Sequence, residues 1–343
     1  VADDRRRRAF IGSFTAAGGP GIVTADVDPG SGALTATHTL DAVPDPSYLA
    51  LAPDGGTLYA VSETTDGTVT AFRLTDGGPE PAGAPVPVAG EAPTHLGLHD
   101  RHVLTANYGS GSVSAVPVRP DGTLAAAPSG VLRHTGSGPD AGRRRSPRAH
   151  QVQSDPSGRW AVSVDLGTDS VRVCTLVGGA PAVHRETALR PGSGPRHLAF
   201  HPDGHHAYVV NELAPTLTVC RWDAAEGTLR PLGEVPVLAA TPAGDAYPSG
   251  VVVSADGRFV WTATRGEDVL TVFAVEPGGG LRLLTTVPCG GHWPRALTAC
   301  ADVLYVANER SGDVTWFAVD PVSGTPRRAG ALAVPAASCV VLG

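Results

Sequence analysis

Short runs in which apolar residues alternate with small or polar ones recur along the whole chain, separated by turns rich in Gly, Asp and Pro. The stretch from Ser47, SYLALAPDGGTLYAVSETTDGTVTAFRL, holds three such runs with a PDG turn between the first two. The same order returns from Pro93, Pro147, Pro195, Pro248 and Pro294. Alternation with a period of two, bounded by turn residues, predicts strands. No long segment with the helical period lies between them, so parallel α/β folds are not expected. A seventh copy is split. AFIGSFTAAGGPGIVTADV from Ala9 supplies a second and third strand, and ASCVVL over 337–342 resembles the missing first one.

Aligned on the end of the second strand, one column reads Ser13, Ser62, Asn107, Asp165, Asn211, Thr264, Asn308, with spacings of 49, 45, 58, 46, 53 and 44 residues. Repeats of this length suit propeller blades of four strands. The fourth strand of each blade is expected in the variable tract after the third, such as LRPLGEVPVL from Leu229. The sequence therefore predicts an all-β, seven-bladed β-propeller spanning 1–343 as one domain, closed by chain ends that share a blade. All three Asn residues of the protein fall in the repeat column. Short polar side chains there are expected to hydrogen-bond the adjoining turn.

Composition then narrows the chemistry. Gly (43) and Pro (31) are plentiful, which fits turns between strands. There is no Lys, so all 26 basic residues are Arg. This excludes a lysine Schiff base and a P-loop lysine. The net charge of −7 argues against nucleic acid as a partner. The Arg5–Arg8 and Arg143–Arg145 runs read as a solvated tail and loop. No run is long enough to cross a membrane, and no signal peptide is visible. Five scattered cysteines without a CxxC pair suggest reduced, mostly buried thiols and a cytoplasmic location, with no zinc site.

Propeller topology brings the start of each first strand and the end of each second strand to one end of the channel. First-strand starts contribute Tyr48, His95, Arg148, His150, Arg196, His197, Tyr247 and Arg295, with His292 and Trp293 just before. Second-strand ends contribute Glu63, Tyr108, Asp165, Glu212, Arg265 and Glu309. Four arginines (148, 196, 265 and 295) around one funnel could hold a carboxylate or phosphate, or could pair with Glu63, Glu212 and Glu309 as ties between blades. His150 among them is expected to move protons near neutral pH. His201, His205 and His206 flank a PDG turn, which places them away from the funnel and argues against a metal site.

Three strings carry a family resemblance: GSGPDAGRRRSPRAHQVQSDPSGRWAVSVDLGTDSVRV, GSGPRHLAFHPDGHHAYVVNEL and YPSGVVVSADGRFVWTATRGEDVLTVF. Together they resemble the seven-bladed propeller lactonases, a family that includes bacterial 6-phosphogluconolactonases and fungal carboxymuconate lactonising enzymes. The likeness covers nearly the whole chain and is strongest from Gly136 to Asn308. It implies catalytic roles for His150, Arg196, Glu212 and Arg265, and no cofactor. The family commonly has His-Ala-His where this chain reads Arg148-Ala149-His150, which points to a more anionic or altered ligand.

The expected activity is hydrolysis of a small anionic lactone by metal-independent acid–base catalysis. Arg148, His197, Tyr247, His292, Arg295, His95, Asp165 and Glu309 are expected to contact the substrate. Cyclisation of a carboxylate on the same funnel is the alternative, and a non-enzymatic binding propeller is a third reading, because the fold hosts all of these. A metal-dependent variant would draw on Asn107, Asp165, Asn211 and Glu212, although nearby arginines oppose a cation.

Overall fold

A computed structural model describes residues 7–139, 146–242 and 244–343. They form seven antiparallel sheets of four strands in a ring, and the only helix among them is the single turn Thr15–Ala17. The first blade takes its inner strand, Ala337–Leu342, from the end of the chain and its other three, Arg8–Ser13, Ile22–Val27 and Leu34–Leu40, from the beginning. Thus the expected seven-bladed ring with a shared closing blade is the observed one. The remaining inner strands are Leu49–Leu51, Pro93–His99, Ala149–Ser154, Pro195–Phe200, Tyr247–Val253 and Pro294–Cys300. In the second blade the outer position is divided, with Gly78–Pro81 and Val86–Pro87 both pairing Thr68–Thr75. The Arg143–Arg145 run and Arg5 and Arg6 lie outside the described residues. Arg8 is no tail residue. It opens a strand of the first blade, and its Nη1 donates to the Thr75 carbonyl at 2.7 Å.

The hydrophobic core is divided among the seven blade interfaces. Leu198, Val209 and Trp222 of the fifth blade pack on Val162, Val164 and Val171 of the fourth. Tyr305, Val314 and Trp316 of the seventh pack on Ile11, Val23 and Val340 of the first. The other five interfaces repeat the arrangement. A strand with two apolar faces inside such a ring touches a neighbour on each side, which explains the near-continuous burial of the second strands.

Polar tips of buried aromatics add direct links. The hydroxyls of Tyr59, Tyr208 and Tyr305 donate to the carbonyls of Gly122, Gly279 and Gly32 in the following blade, at 2.9, 3.1 and 2.8 Å. The indoles of Trp160 and Trp261 donate in the same sense to Ala224 and Gly324, at 2.7 and 2.8 Å. Five of the seven interfaces carry such a link. The Asn column braces the turns as expected. Asn107 Nδ2 donates to Ser112 and Ser114, Asn211 Nδ2 to Thr216 and Thr218, and Asn308 Nδ2 to Asp313 and Thr315. The same offsets of five and seven residues recur in all three copies.

The closing interface should therefore be sensitive to one oxygen atom. Tyr305→Phe keeps the ring and strands the Gly32 carbonyl, so it should cost about 1–2 kcal/mol of unfolding free energy. Chemical denaturation measures this, and a loss below experimental error would show that the link contributes nothing.

Candidate active site

The side chains that ring the channel are placed by a repeated irregularity. Where an inner strand meets its neighbour, the register skips at its start in six blades. The skipped residue is Ser338, Thr94, His150, Arg196 and Arg295 in five of these, and Ser249 with Gly250 in the sixth. A bulge leaves a residue unpaired and re-aims its side chain. The register also corrects the alignment of the fourth blade. Ala149 pairs with Asp165 as Pro195 pairs with Asn211, so His150 occupies the place of Arg196, and Arg148 lies before the strand. The shared Pro-Arg string had suggested otherwise.

Arg196, Glu212 and Arg265 form the centre of the group. Glu212 Oε2 lies 3.1 Å from Arg196 Nε and 2.7 Å from Arg265 Nη2. Both of these contacts fall on one oxygen of Glu212, Oε2. Arg196 Nη1 also donates to the Ser249 carbonyl, and Arg265 Nε to that of Tyr247 at 3.2 Å. Burial, with Arg265 close by, pushes the Arg196 guanidinium down to about 9, which leaves it charged at neutral pH. On the next side of the ring, Arg295 bridges Glu309 Oε2 at 3.1 Å and Glu63 Oε1 at 3.5 Å and stacks on Phe14. Burial opposes the Arg295 charge, but Glu63 and Glu309 outweigh it and the net shift is upward. Burial also raises the Glu63 carboxyl above its ordinary range, against the pull of Arg295.

Below these ions lies a layer of rings. Tyr48 stands 4.0 Å from His95, His95 5.4 Å from His197, and His197 5.2 Å from His150, centroid to centroid. The edge of Tyr108 meets His150 at 5.5 Å, and the Arg148 guanidinium covers Tyr108. Arg148 Nη1 donates to the Tyr108 and Gly109 carbonyls. Beyond the layer the channel widens to a cavity of about 830 Å³ that opens on the opposite face. Its walls are the later residues of the inner strands, including Leu51, Phe200, Val253 and Leu342. Tyr48, His95 and His197 line this cavity, and Arg196, Glu212 and Arg265 do not.

Burial pushes His95 down to about 3, and His150 and His197 well below the usual imidazole range. Arg196 adds to the effect on all three, and Arg295 and Arg265 on His150. The expectation that His150 changes charge near neutral pH is therefore overturned: its imidazole stays neutral. Its Nδ1 is buried without a partner.

Two expected contacts are placed elsewhere. Asp165 is fully buried, with Oδ2 2.6 Å from His134 Nδ1 and Oδ1 accepting the backbone N–H groups of Arg148, Gly167 and Thr168. Burial works upward on this carboxyl, but His134, the Arg148 N–H and Arg172 hold it below its usual range. It anchors the loop before His150 and does not face the channel. His292 is exposed, and its Nδ1 meets the Asp268 carboxylate. The oxygens of Asn107 and Asp165 are spent on local hydrogen bonds, whereas Asn211 gives its Nδ2 to the turn and keeps a buried Oδ1 without a partner, and Glu212 lies between two guanidiniums. The described residues hold one group suited to a metal by donor type, His201, Asp203 and His206 at the PDG turn. There Asp203 caps the His205 and His206 N–H groups, and the Asp203 N–H donates to His201 Nδ1, so the donors already serve the turn. The sequence reading passed over Phe14, Arg310 and the raised carboxyl of Glu63. Only the position of Arg310 beside the second-strand column could have drawn notice.

Comparison with known proteins follows the same geometry. Residues 8–342 match the profile of a family described as lactonase, seven-bladed beta-propeller. Over 325 residues the chain is 31% identical to a 6-phosphogluconolactonase of Bacillus subtilis, covering 92% of both. A 6-phosphogluconolactonase of Formosa agariphila is 28% identical over 92% of this chain and 93% of its own length. The solved periplasmic gluconolactonase of Pseudomonas aeruginosa superimposes with a TM-score of 0.92 at 30% identity, covering 98% of each chain.

The neutral histidines couple stability to pH. Their folded values lie below the unfolded one near 6.5, so between the two the unfolded chain binds more protons. Their contribution is complete above pH 6.5 and is lost as pH falls toward about 3 for His95. Each histidine should contribute a slope of about 1.4 kcal/mol per pH unit near pH 5. His197→Gln should flatten the measured slope by about one proton, and an unchanged slope would refute the assignment of a neutral, buried His197.

Proposed function

Because this chain belongs to the lactonase family of seven-bladed β-propellers, we propose that it hydrolyses a sugar lactone at the Arg196–Glu212–Arg265 group beside His150. The observation that carries this reading is the clamp on Glu212. Both guanidiniums meet the same carboxylate oxygen, Oε2, which sets the carboxylate between two cations and leaves Oε1 to take a proton. Similar proteins named 6-phosphogluconolactonase and gluconolactonase support hydrolysis over cyclisation.

The chemistry balances on these residues. Glu212 Oε1 accepts a proton from water as the water oxygen bonds to the lactone carbonyl carbon. The carbonyl oxygen becomes an oxyanion, stabilised by the guanidiniums of Arg196 and Arg265 in a site shielded from solvent. The neutral imidazole of His150 donates its N–H as a hydrogen bond, the role open to a histidine that does not charge. When the tetrahedral intermediate collapses, the ring C–O bond breaks and the departing oxygen takes the proton back from Glu212. The product is an open-chain hydroxy acid. Two guanidiniums around Glu212 repel a cation, which favours this route over a metal-bound water.

The substrate is proposed to be anionic. Arg148, Arg196, Arg265 and Arg295 outnumber Glu63, Glu212 and Glu309, and burial biases Glu63 toward its neutral form. The compartment is proposed from the thiols: five cysteines, none in a disulfide, fit a reducing cytoplasm, although one solved relative is periplasmic.

Glu212→Gln should lower kcat for lactone opening by about 10²–10⁴-fold, and His150→Gln by a smaller factor. A proton-release assay on glucono-1,5-lactone and its 6-phosphate measures both, with thermal unfolding confirming that each variant folds. Near wild-type rates in both variants would refute the mechanism.

A further inference from the structure

Among the described residues, Trp293 is the bulkiest to adopt the left-handed backbone region, at φ 65°. Large side chains rarely occupy that region, and where they do the surroundings hold them there. Here Asp268 does so: its Oδ1 accepts the Trp293 N–H at 2.8 Å and its Oδ2 meets His292 Nδ1. The turn of the seventh blade completes the hold, since Glu309 and Arg310 donate their N–H groups to the Trp293 and His292 carbonyls. The indole is thereby fixed at the rim of the Arg–Glu group. The Arg265 guanidinium lies 5.6 Å from its ring centroid and the Tyr247 ring stands at 6.1 Å.

The same indole carries a second cation. The Arg310 guanidinium carbon lies over the Trp293 ring, 3.3 Å from its centroid. Arg310 is exposed, and its side chain has no ion pair or hydrogen bond among the described residues. Every other arginine of the site is engaged. Arg196 and Arg265 share Glu212, Arg295 has Glu63 and Glu309, and Arg148 donates to two carbonyls. The Arg310 side chain lies over the indole and is exposed to solvent, so its N–H groups are within reach of a ligand. The N–H edge is the part of a guanidinium that binds a phosphate through two parallel hydrogen bonds.

We propose that Trp293 and Arg310 form a rim subsite for an anionic group, a phosphomonoester, on the part of the sugar lactone remote from its carbonyl. The inference rests on the lactonase reading and adds the residue that discriminates phosphorylated from unphosphorylated substrate. Trp293 holds the guanidinium oriented before substrate arrives, so little side-chain freedom is lost on binding. Arg265, on the same indole, ties the subsite to the reacting group.

The test compares kcat/KM for glucono-1,5-lactone 6-phosphate and for glucono-1,5-lactone in wild type, Arg310→Gln and Arg310→Lys. Arg310→Gln should lower the ratio of phosphorylated to unphosphorylated kcat/KM by about tenfold, as expected for loss of a charge-assisted contact. Arg310→Lys should recover part of it, since charge remains without the planar fork. A ratio within twofold of wild type, or equal losses on both lactones, would overturn the subsite. If wild type opens neither lactone, the hydrolase reading fails on its own. Calorimetric titration of 6-phosphogluconate and gluconate then decides the subsite separately: phosphate-dependent binding weakened by Arg310→Gln supports it, and binding unaffected by the substitution overturns it.

Discussion

No blade of this protein has a core of its own. Each apolar cluster lies between two neighbours, so a blade is stable only while both flanking blades are in place. The last interface is made when Ala337–Leu342 pairs with Arg8–Ser13. Everything at the channel depends on that closure, because the inner strands converge only in a completed ring. The Arg–Glu group shows this directly. Glu212 comes from the fifth blade, Arg265 from the sixth, and Arg295 of the seventh reaches Glu63 of the second. No two-blade fragment contains the site.

Closure also sets the electrostatics. Bringing arginines to the narrow end of a channel removes them from water, which is costly for a guanidinium unless an opposite charge comes with it. The three glutamates at second-strand ends supply that charge. The histidines beneath have no carboxylate among the causes that shift them, and under burial and the same arginine fields they stay neutral. One arrangement therefore yields a fixed carboxylate, two oriented cations beside it and an uncharged imidazole. All three arise from compensation of burial.

The fold was legible in the sequence because its cause is periodic. Seven copies of one alternation, the split seventh copy and the Asn column all express the same turn geometry, and the structure reproduces each. The candidate site was legible in part for the same reason: residues at repeated positions had to converge. What periodicity could not convey was direction and environment. Asp165 shares a column with the Asn residues and shares their work, bracing a turn, so its inclusion among substrate contacts did not survive. The neutrality of His150 follows from burial first and then from three arginines supplied by other blades, neither of which a local reading of Arg148-Ala149-His150 contains. Trp293 and Arg310 meet only because Asp268, in a third segment, holds the strained backbone between them.

The bulge at the start of the inner strands is where fold and candidate site meet. In a regular ladder the residue after the strand start would alternate to a face packed against a neighbouring blade, and an arginine there would meet the hydrophobic clusters. The skipped register takes that residue out of the alternation and frees it to face the channel mouth. Blades carrying Ser338 or Thr94 at the skip have a small polar group there, while those carrying His150, Arg196 and Arg295 place an ionisable one. The repeated irregularity is structural in origin, since it occurs whether or not the residue has chemistry to perform. Function then needs only a change of side chain at a position the fold has already turned toward the channel. On this argument the activity of such a ring is altered most readily at the skipped residues and at the second-strand ends that face them. The strands themselves, each sealed on both faces by neighbouring blades, have little freedom to vary.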